Sequence, residues 1–492
     1  MPDGNVPWPP PQLAGLLRDM AVDDAWYSGD RKRLAAVYRD HGRRQDGRRR
    51  LWARANPTPG RPDNRMHIPL AGDLASTSAD LLFSEPPVLT VEDRATQDRL
   101  GELVEAGGVA NSLLEAAEIG AALGGVFLRA TWDSSLAARP LLTTVHADSA
   151  VPDFRWGVLT GVTFWRELSG SDTATVWRHL ERHEPGFIRH GLYQGTPDRL
   201  GVRVPLAEHP DVAALVDSLD PDGDGDGIAT GIDELTAAYV PNIRPHRKYR
   251  GAPFGRSDYA APLHDLMDAL DSVWTSWLRD IRLARARLIV PDAYLRDHGP
   301  GRGASWDEDR EVWQALAIPP TESGGAGITL SQFAIRVAEH QSSADAIVQQ
   351  AVRSAGYSAQ SFGIGDQVAA TATEVKARER RSMITRDKKA RYWQAPLAHM
   401  LHVMLLLDRR LFTPSLVVER PRVVFGDSVS EDPQATAQTL ALLVQAQAIS
   451  VETRVRILHP DWDETAVREE TDRILAETGQ AVPDPMQAGA LL

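Results

Sequence analysis

GYSAQSFGIGDQVAATATEVKARERRSMITRDKKARYWQAPL, residues Gly356–Leu397, is the stretch on which the fold turns. Gly356 suits the left-handed position that ends a helix. The small and polar run SFGIGDQVAATAT, residues 361–373, has neither strand alternation nor helical periodicity. From about Thr371 a helix is expected to reach about Leu411, roughly 60 Å at 1.5 Å per residue. Between Glu374 and Arg391 it carries eight basic and three acidic residues. Pro396 is expected to kink it. Beyond lie Leu397, Met400, Leu401, Met404 and Leu405. One half suits a polar surface and the other a core. No catalytic trio occurs here.

Upstream, SSADAIVQQAVRSAG (342–356) reads as a helix with Ser342 or Ser343 as N-cap, and ITLSQFAIRV (328–337) as a strand. Residues 291–328 are irregular, rich in Gly and Pro at both ends, and read as a small inserted module. Before them, Leu263, Leu266, Met267, Leu270, Val273, Trp274, Trp277, Leu278 and Ile281 repeat at helical spacing. Asp265, Asp268 and Asp271 lie early in that helix and Arg279, Arg282, Arg285 and Arg287 late, a polarity that suits the helix dipole.

The first sixty residues hold a short helix, Leu13–Met20, and the arginine-rich stretch 31–64, which reads as a solvated arm or a phosphate-binding patch. Ile68, Leu70, Leu74, Ala79, Leu81, Leu82 and Phe83 suggest a strand leading into a helix that stops before Pro86 and Pro87. A helical region, Asp98–Leu123, precedes the strand GGVFLRATWD (124–133). Residues 139–250 read as mainly β. His179 and His183 have the spacing of a zinc pair on a helix, but the local pattern is a strand, which favours interstrand histidines. Asp222, Asp224, Asp226 and Gly227 match the first half of a calcium loop; Asp233 stands where a bidentate Glu is usual, so a plain acidic loop is favoured. The C-terminal region reads as the strand-like SLVVERPRVVF (415–425) and three helices within 432–478, the second capped by Ser450.

A chain of 492 residues suggests two to four units, and 42% hydrophobic residues suffice for real cores. There is no cysteine, which excludes disulfides and thiolate chemistry and fits a reducing interior. The N-terminus lacks the basic start and apolar run of a signal peptide. No apolar run is long enough to span a bilayer, so no membrane partner is expected. A net charge of −13 argues against tight duplex binding over the surface. Only five of the 54 basic residues are lysine. No phosphate loop, zinc-protease, hydrolase or kinase signature occurs. HPDWDE (459–464) reads as a helix entry rather than a metal site. A metal-dependent nuclease would rest on the Asp222–Asp226 loop alone.

Four stretches together resemble phage portal proteins of the long-tailed siphophage type: HIPLAGDLASTSADLLFSEPP (67–87), the segment 239–291 around the long amphipathic helix, the opening segment (355–397), and the helical region 431–474. Their order and spacing carry the resemblance. It implies an α+β, multi-domain portal fold with a helical stem and crown and a mixed α/β wing, assembled as a ring of twelve copies. By this resemblance, 1–64 is an N-terminal arm, 65–257 the wing (β-rich from 139), and 258–290 the first stem helix. Residues 291–328 become the clip, 329–361 a strand and second stem helix, and 362–370 the tunnel loop. Residues 371–427 become a kinked wing helix and strand, and 428–492 the crown and tail. Gly363, Ile364, Gly365, Asp366 and Gln367 would face DNA in the channel. Leu266, Leu270, Trp274, Trp277 and Ile281 would pack the stem. Arg378, Arg380 and Arg381 would make channel or inter-subunit contacts. The implied partners are double-stranded DNA, terminase large subunit, a head-completion or adaptor protein, and the major capsid and scaffolding proteins. The implied location is the virion portal vertex, with host cytoplasm during assembly, and no cofactor is expected. A nuclease of the packaging apparatus and another head–tail connector component are the alternatives.

Overall fold

The apolar periodicities resolve into helices and strands in a computed structural model. It describes all residues except 3, 40–49, 55–62, 220–226, 285–286, 290–295, 298–303, 306–328, 332–334, 364–371, 427–432, 460–461, 463 and 479–492. The chain opens with α1 (Ala14–Ser28) and α2 (Arg31–Val37), the latter capped by the Asp30 carboxylate, which accepts from the Lys32 and Arg33 N–H groups. Then come α3 (Leu70–Phe83), β1 (Val88–Thr90), α4 (Arg94–Ala106) and α5 (Val109–Leu123). The β-rich part holds β2 (Gly125–Thr131), β3 (Leu141–His146), β4 (Ala150–Arg155), β5 (Val158–Glu167), β6 (Val176–Glu184), β7 (Phe187–Thr196) and β8 (Arg199–Val204). The short α6 (Pro210–Ala213) precedes β9 (Gly227–Ala229) and β10 (Ala237–Pro241). Next come α7 (Leu263–Leu283), β11 (Arg287–Ile289), β12 (Arg296–Asp297), β13 (Ala304–Ser305), β14 (Thr329–Ser331) and α8 (Val337–Ala355). The chain closes with α9 (Ala372–Leu411), β15 (Arg422–Val424), α10 (Pro433–Gln445), α11 (Val451–Leu458) and α12 (Glu464–Glu477).

Several boundaries differ from expectation. The helical region Asp98–Leu123 is two helices, because Gly108 takes a left-handed φ of 60° and breaks the ladder. No strand forms at Ile68; α3 starts at Leu70. Ser342 and Ser343 lie inside α8 and cap nothing, since the helix begins at Val337. The strand expected over 328–337 is three residues among those described. The helix placed over 258–290 is shorter: Asp258 and Tyr259 are buried in non-helical chain before it, and Arg287–Ile289 beyond it form a strand. The inserted module is bracketed by an antiparallel ladder in which Leu288 pairs with Leu330.

Residues 1–368 with 378–426 form one compact unit, and 369–377 with 427–492 a second. In the first, a three-stranded antiparallel sheet (β10-β2-β3) and a six-stranded one (β4 to β8 in order, with β9 on β7) meet at Phe127, Phe164 and Tyr239. Gly125 leaves room for the Tyr239 side chain of the neighbouring strand, since a Cβ there would lie 2.3 Å from the Tyr239 hydroxyl. The N-terminal segment lies along the outer edge of β8, where the Leu200 N–H donates to Val6 O at 2.9 Å and the Trp8 N–H to Asp198 O at 2.9 Å. Trp8 covers Leu180, Tyr193 and Leu200. An edge strand is thereby blunted by its own chain. The far half of α9 is largely apolar, and Leu397, Met400, Leu401, Val403, Met404, Leu405 and Leu407 are buried.

The acidic residues of α7 do more than complement its dipole. Asp268 accepts the Leu51 N–H at 2.8 Å. Asp271, fully buried, accepts from Trp52 Nε1 at 2.9 Å and from the Ile68 N–H at 2.9 Å, and pairs with His67 Nδ1. These bonds tie the arm to the helix. Arg50 of the arm pairs with Asp265, so it is not part of a free phosphate patch, and Arg65 just beyond the arm pairs with Asp63. Asp271→Ala is expected to lower unfolding free energy by about 3 kcal/mol, because two buried N–H donors lose their acceptor. Urea unfolding of the purified variant measures this, and an unchanged midpoint would contradict the anchoring role.

Candidate functional site

The two helices that flank the inserted module pack against each other. Asp280 on α7 accepts from Arg336 at 2.9 Å and His340 at 3.0 Å. The hydrogen bonds from His340 and Arg336 hold its carboxyl below the usual carboxylate range. Trp277 stacks on His340 with ring centroids 6.0 Å apart, and Trp274 lies 4.9 Å from Trp277. Of the expected packing residues, Leu270 is buried, Leu266, Trp274 and Trp277 are half-buried, and Ile281 is exposed.

The chain leaving α8 is pinned to α9 at three successive stations. Gly356 closes α8 with φ 103°, and its carbonyl accepts from Thr385 Oγ1 at 2.6 Å. Next, the Tyr357 hydroxyl accepts from Lys389 Nζ at 2.9 Å. The Ser358 N–H donates to Ser382 Oγ at 2.9 Å, and the Ser361 hydroxyl lies 2.8 Å from it. Ser382, Thr385 and Lys389 are spaced three and four residues apart, hence on one face of α9. A short 3₁₀ turn, Ala359–Phe362, then delivers the chain to Gly363, with φ 67°. Ile364, Gly365, Asp366 and Gln367 lie outside the described residues, but the segment holding them leaves from this clamped point.

Lys389 is the centre of that face. Its ammonium donates to Asp258 Oδ2 at 2.6 Å and to Ser78 Oγ at 2.5 Å. Asp258 also accepts from the Tyr357 hydroxyl at 2.6 Å and from Asn242 Nδ2 at 2.8 Å. Lys389, Asp258 and Tyr357 are all buried. Burial pushes the lysine down, and the Asp258 charge opposes this. Burial and the same charge push the Tyr357 hydroxyl well up. The basic half of α9 is therefore not uniformly a solvated face. Arg386 is likewise buried, donating to Leu81 O at 3.1 Å and to Gly426 O. Arg380 and Arg381 are exposed, and the Arg378 side chain lies outside the described residues. Sequence reasoning missed Lys389, Asp258 and Tyr357; the spacing of Ser382, Thr385 and Lys389 was the available signal.

The histidine pair sits on β6, and both rings are buried. With Glu181 they share one strand face. They do not converge on one point. His179 Nε2 meets His190 Nδ1 at 3.1 Å, whereas His183 meets Thr236 Oγ1 at 2.6 Å and Glu181 Oε1 at 2.7 Å. Burial and then the neighbouring His190 push His179 down to about 4. Burial pushes Glu181 up, but the bond from His183 and the charge of Arg129 outweigh it and hold the carboxyl well below its usual range. His179, Glu181 and His190 line an open cleft of about 1090 Å³. Among the described residues no group of three or more His, Asp or Glu is placed to hold a metal ion. The loop Asp222–Asp226 lies outside the described residues.

Two stability tests follow from these networks. Lys389→Met is expected to cost about 3–5 kcal/mol, because it leaves a buried carboxylate unpaired, and adding Asp258→Asn should recover a good part. Denaturant unfolding of the single and double variants gives the coupling; purely additive losses would contradict it. For His179 the folded value lies below the ordinary 6.5, so the unfolded chain takes the proton first. Its contribution to stability is complete above about pH 6.5 and is lost as pH falls towards 4. His179→Leu should flatten melting temperature against pH across that window; an unchanged slope would rule His179 out as its source.

The comparisons with known proteins bear on the whole chain. No curated protein sequence matches. Solved structures with similar chains include the virion of a native gene transfer agent particle, at 13% identity, 86% of this chain and 98% of that one covered, and a TM-score of 0.44. The neck of an empty gene transfer agent particle matches at 12% identity over 92% of this chain and 94% of that one, with a TM-score of 0.43. The neck of the native particle, computed with C12 symmetry, matches at 12% over 80% and 89%, with a TM-score of 0.41. A family model for the phage portal protein, SPP1 Gp6-like, matches residues 17–484. That match spans nearly the full length, and the chain belongs to the SPP1 Gp6-like family of phage portal proteins.

Proposed function

We propose that copies of this chain form a ring, of twelve subunits as the family resemblance implies, at one capsid vertex, and that double-stranded DNA passes through its centre in packaging and ejection. Family membership over residues 17–484 carries this reading. The family is structural, so the work is conduction rather than catalysis.

The geometry supports the assignment of parts. The pair α7 and α8 serves as the stem, and the module 291–328 between them is the docking clip for terminase large subunit and then a head-completion protein. The segment from Gly363, with Ile364, Gly365, Asp366 and Gln367, serves as the tunnel loop. Its near end is clamped to Ser382, Thr385 and Lys389 of α9, so motion in the loop need not disturb the body. Asp366 would repel phosphate rather than hold it. A net charge of −13 acts in the same direction, and weak binding suits a channel because many tight phosphate contacts would stall the DNA. The exposed Arg380 and Arg381, and Arg378 near them, make channel or inter-subunit contacts. Exposed Ile281 at the end of α7 meets a neighbouring stem. The protein belongs to the virion portal vertex, and its ring assembles in host cytoplasm with capsid and scaffolding proteins.

Negative-stain imaging with light-scattering mass should show rings with a central hole; a monomer at every concentration, with scaffolding protein present, would refute the assembly. Deleting Gly363–Ala369 should leave rings intact and impair DNA packaging, and normal packaging would refute the loop assignment. Trp277→Asp should reduce ring yield severely, because a charge would replace the ring stacked on His340. Wild-type yield would contradict the stem assignment.

A further inference from the structure

The loop that follows β10 runs against the charge of the whole chain. From Leu235 to Ser257 there is no acidic residue, whereas Arg244, Arg247, Lys248, Arg250 and Arg256 are basic, in a protein of net charge −13. The loop is tied down. The Arg256 N–H donates to Ile243 O at 3.0 Å and joins its two ends, and Asn242 Nδ2 donates to Arg256 O at 3.0 Å. Tyr249 and Phe254 pack against the core, and the Tyr249 hydroxyl donates to Asp19 at 2.9 Å. Arg244, Arg247, Lys248 and Arg250 are left exposed.

A cavity of about 340 Å³ beside this loop is lined by Arg247, Lys248 and Arg256 and by the carboxylates Asp19, Asp23 and Asp258. Each carboxylate already has a cationic or histidine partner. Asp19 accepts from Lys248 at 2.7 Å, Asp23 pairs with His264 at 2.8 Å, and Asp258 accepts from Lys389 at 2.6 Å. Arg50, which also lines the cavity, pairs with Asp265. By contrast, the side chains of Arg244, Arg247, Arg250 and Arg256 make no hydrogen bond or ion pair among the described residues. Burial lowers the half-buried Arg256 guanidinium from its ordinary value, and the charge of Arg247 adds to this, while Asp258 opposes it. Like charges are therefore held near each other where water is partly excluded, and a bound anion would relieve them.

The exposed surface favours one kind of anion. Protein–protein interfaces are centred on apolar and aromatic side chains, with charge at the rim. The exposed residues of 244–251 are Arg, Lys, Pro and Gly, with no large apolar side chain among them. Guanidinium groups without an apolar centre suit phosphate, which Arg can hold through two parallel N–H bonds. A nucleic-acid backbone presents phosphates in series.

We infer that Arg244, Arg247 and Arg250, with the half-buried Arg256, form a contact site for the phosphate backbone of duplex DNA. This contact rests on the conduit reading above, which brings DNA to the ring, and adds a surface other than the tunnel loop. It reads no bases. About three or four phosphates per copy give binding that salt weakens steeply, so DNA is held loosely and can still move. The site adjoins the clamp on α9, because Asp258 both lines the cavity and accepts from Lys389 and Tyr357.

The test uses the full chain with Arg244→Gln, Arg247→Gln and Arg250→Gln together. Dye-labelled duplex of arbitrary sequence would be titrated by fluorescence anisotropy between about 50 and 200 mM salt, with light scattering in parallel. The wild type should bind and the variant should bind at least about tenfold more weakly, with the slope of log affinity against log salt smaller by about two to three. Equal binding by both, or none by the wild type at the lowest salt, would overturn the site; rings of normal mass would then leave the ring reading standing. Absence of rings from the wild type would count against the ring reading, and anisotropy on the monomer would still decide the site. Pyrophosphate should displace the duplex only at far higher concentration; displacement at equal concentration would make free phosphate the ligand and overturn the DNA contact. Binding of poly-glutamate by a wild type that ignores DNA would overturn it in favour of an acidic protein. Should the variant fold poorly, arginine modification of the wild type by phenylglyoxal decides. Duplex DNA should protect the peptide holding Arg244, Arg247 and Arg250, and equal modification with and without DNA would overturn the site.

Discussion

A single buried ion pair, Lys389 with Asp258, sets the geometry on which the larger unit depends. Both groups are removed from water, at a cost that attraction alone does not offset. The cost is met by near-complete hydrogen bonding. The three ammonium donors have three acceptors in Ser78, Asp258 and Tyr357, and the carboxylate also takes bonds from Tyr357 and Asn242. These residues come from α3, from the chain following β10, from the segment before α7, from the end of α8 and from α9. An apolar contact among the same segments would tolerate sliding. A buried charge does not, because any shift leaves a lone charge without water.

This locking divides α9 into two functions. Its far half is a spine of leucine and methionine around which the core closes. Its near half is polar, yet one face of it is buried and holds the chain that leaves α8. The loop that follows Gly363 is thus attached to rigid structure at its departure. The tunnel loop proposed for the residues after Gly363 would then start from fixed structure. The same economy appears on α7. Asp268 and Asp271 bind the N-terminal arm from one side of that helix, while Asp280 receives α8 on another.

Much of this was legible in the chain. The long helix was expected from about Thr371 to Leu411, and runs from Ala372 to Leu411, because a switch from polar to apolar patterning with no Gly inside has few alternatives. The three C-terminal helices followed from Ser450 and short apolar repeats. Errors arose where local signals compete. Ser342 and Ser343 are good caps, yet α8 extends past them because His340 is held to Asp280 and stacked on Trp277. Residues near Ile68 have strand propensity, but the Ile68 N–H is claimed by Asp271 and the Met66 N–H by Thr275 instead of a sheet. The candidate site was legible only in outline. A lysine and an aspartate 131 residues apart carry no pairing signal, and the basic character of α9 pointed outwards, towards solvent or phosphate.

The sequence by itself determined the class of the molecule: an α+β chain with a long two-part helix, an insert between two helices, no thiol chemistry, and the ordered segments by which its family is known. Those are local or compositional properties, and hydrophobic period, turn residues and charge content encode them directly. Tertiary structure alone decided which charges are buried, which face of α9 clamps the loop, and that the histidines of β6 join separate hydrogen-bond networks. These are matters of which distant groups meet, and in a low-dielectric interior a change of partner reverses the meaning of a residue. The same lysine that would be a solvated surface charge on an isolated helix becomes, beside Asp258, the fixed point of the fold.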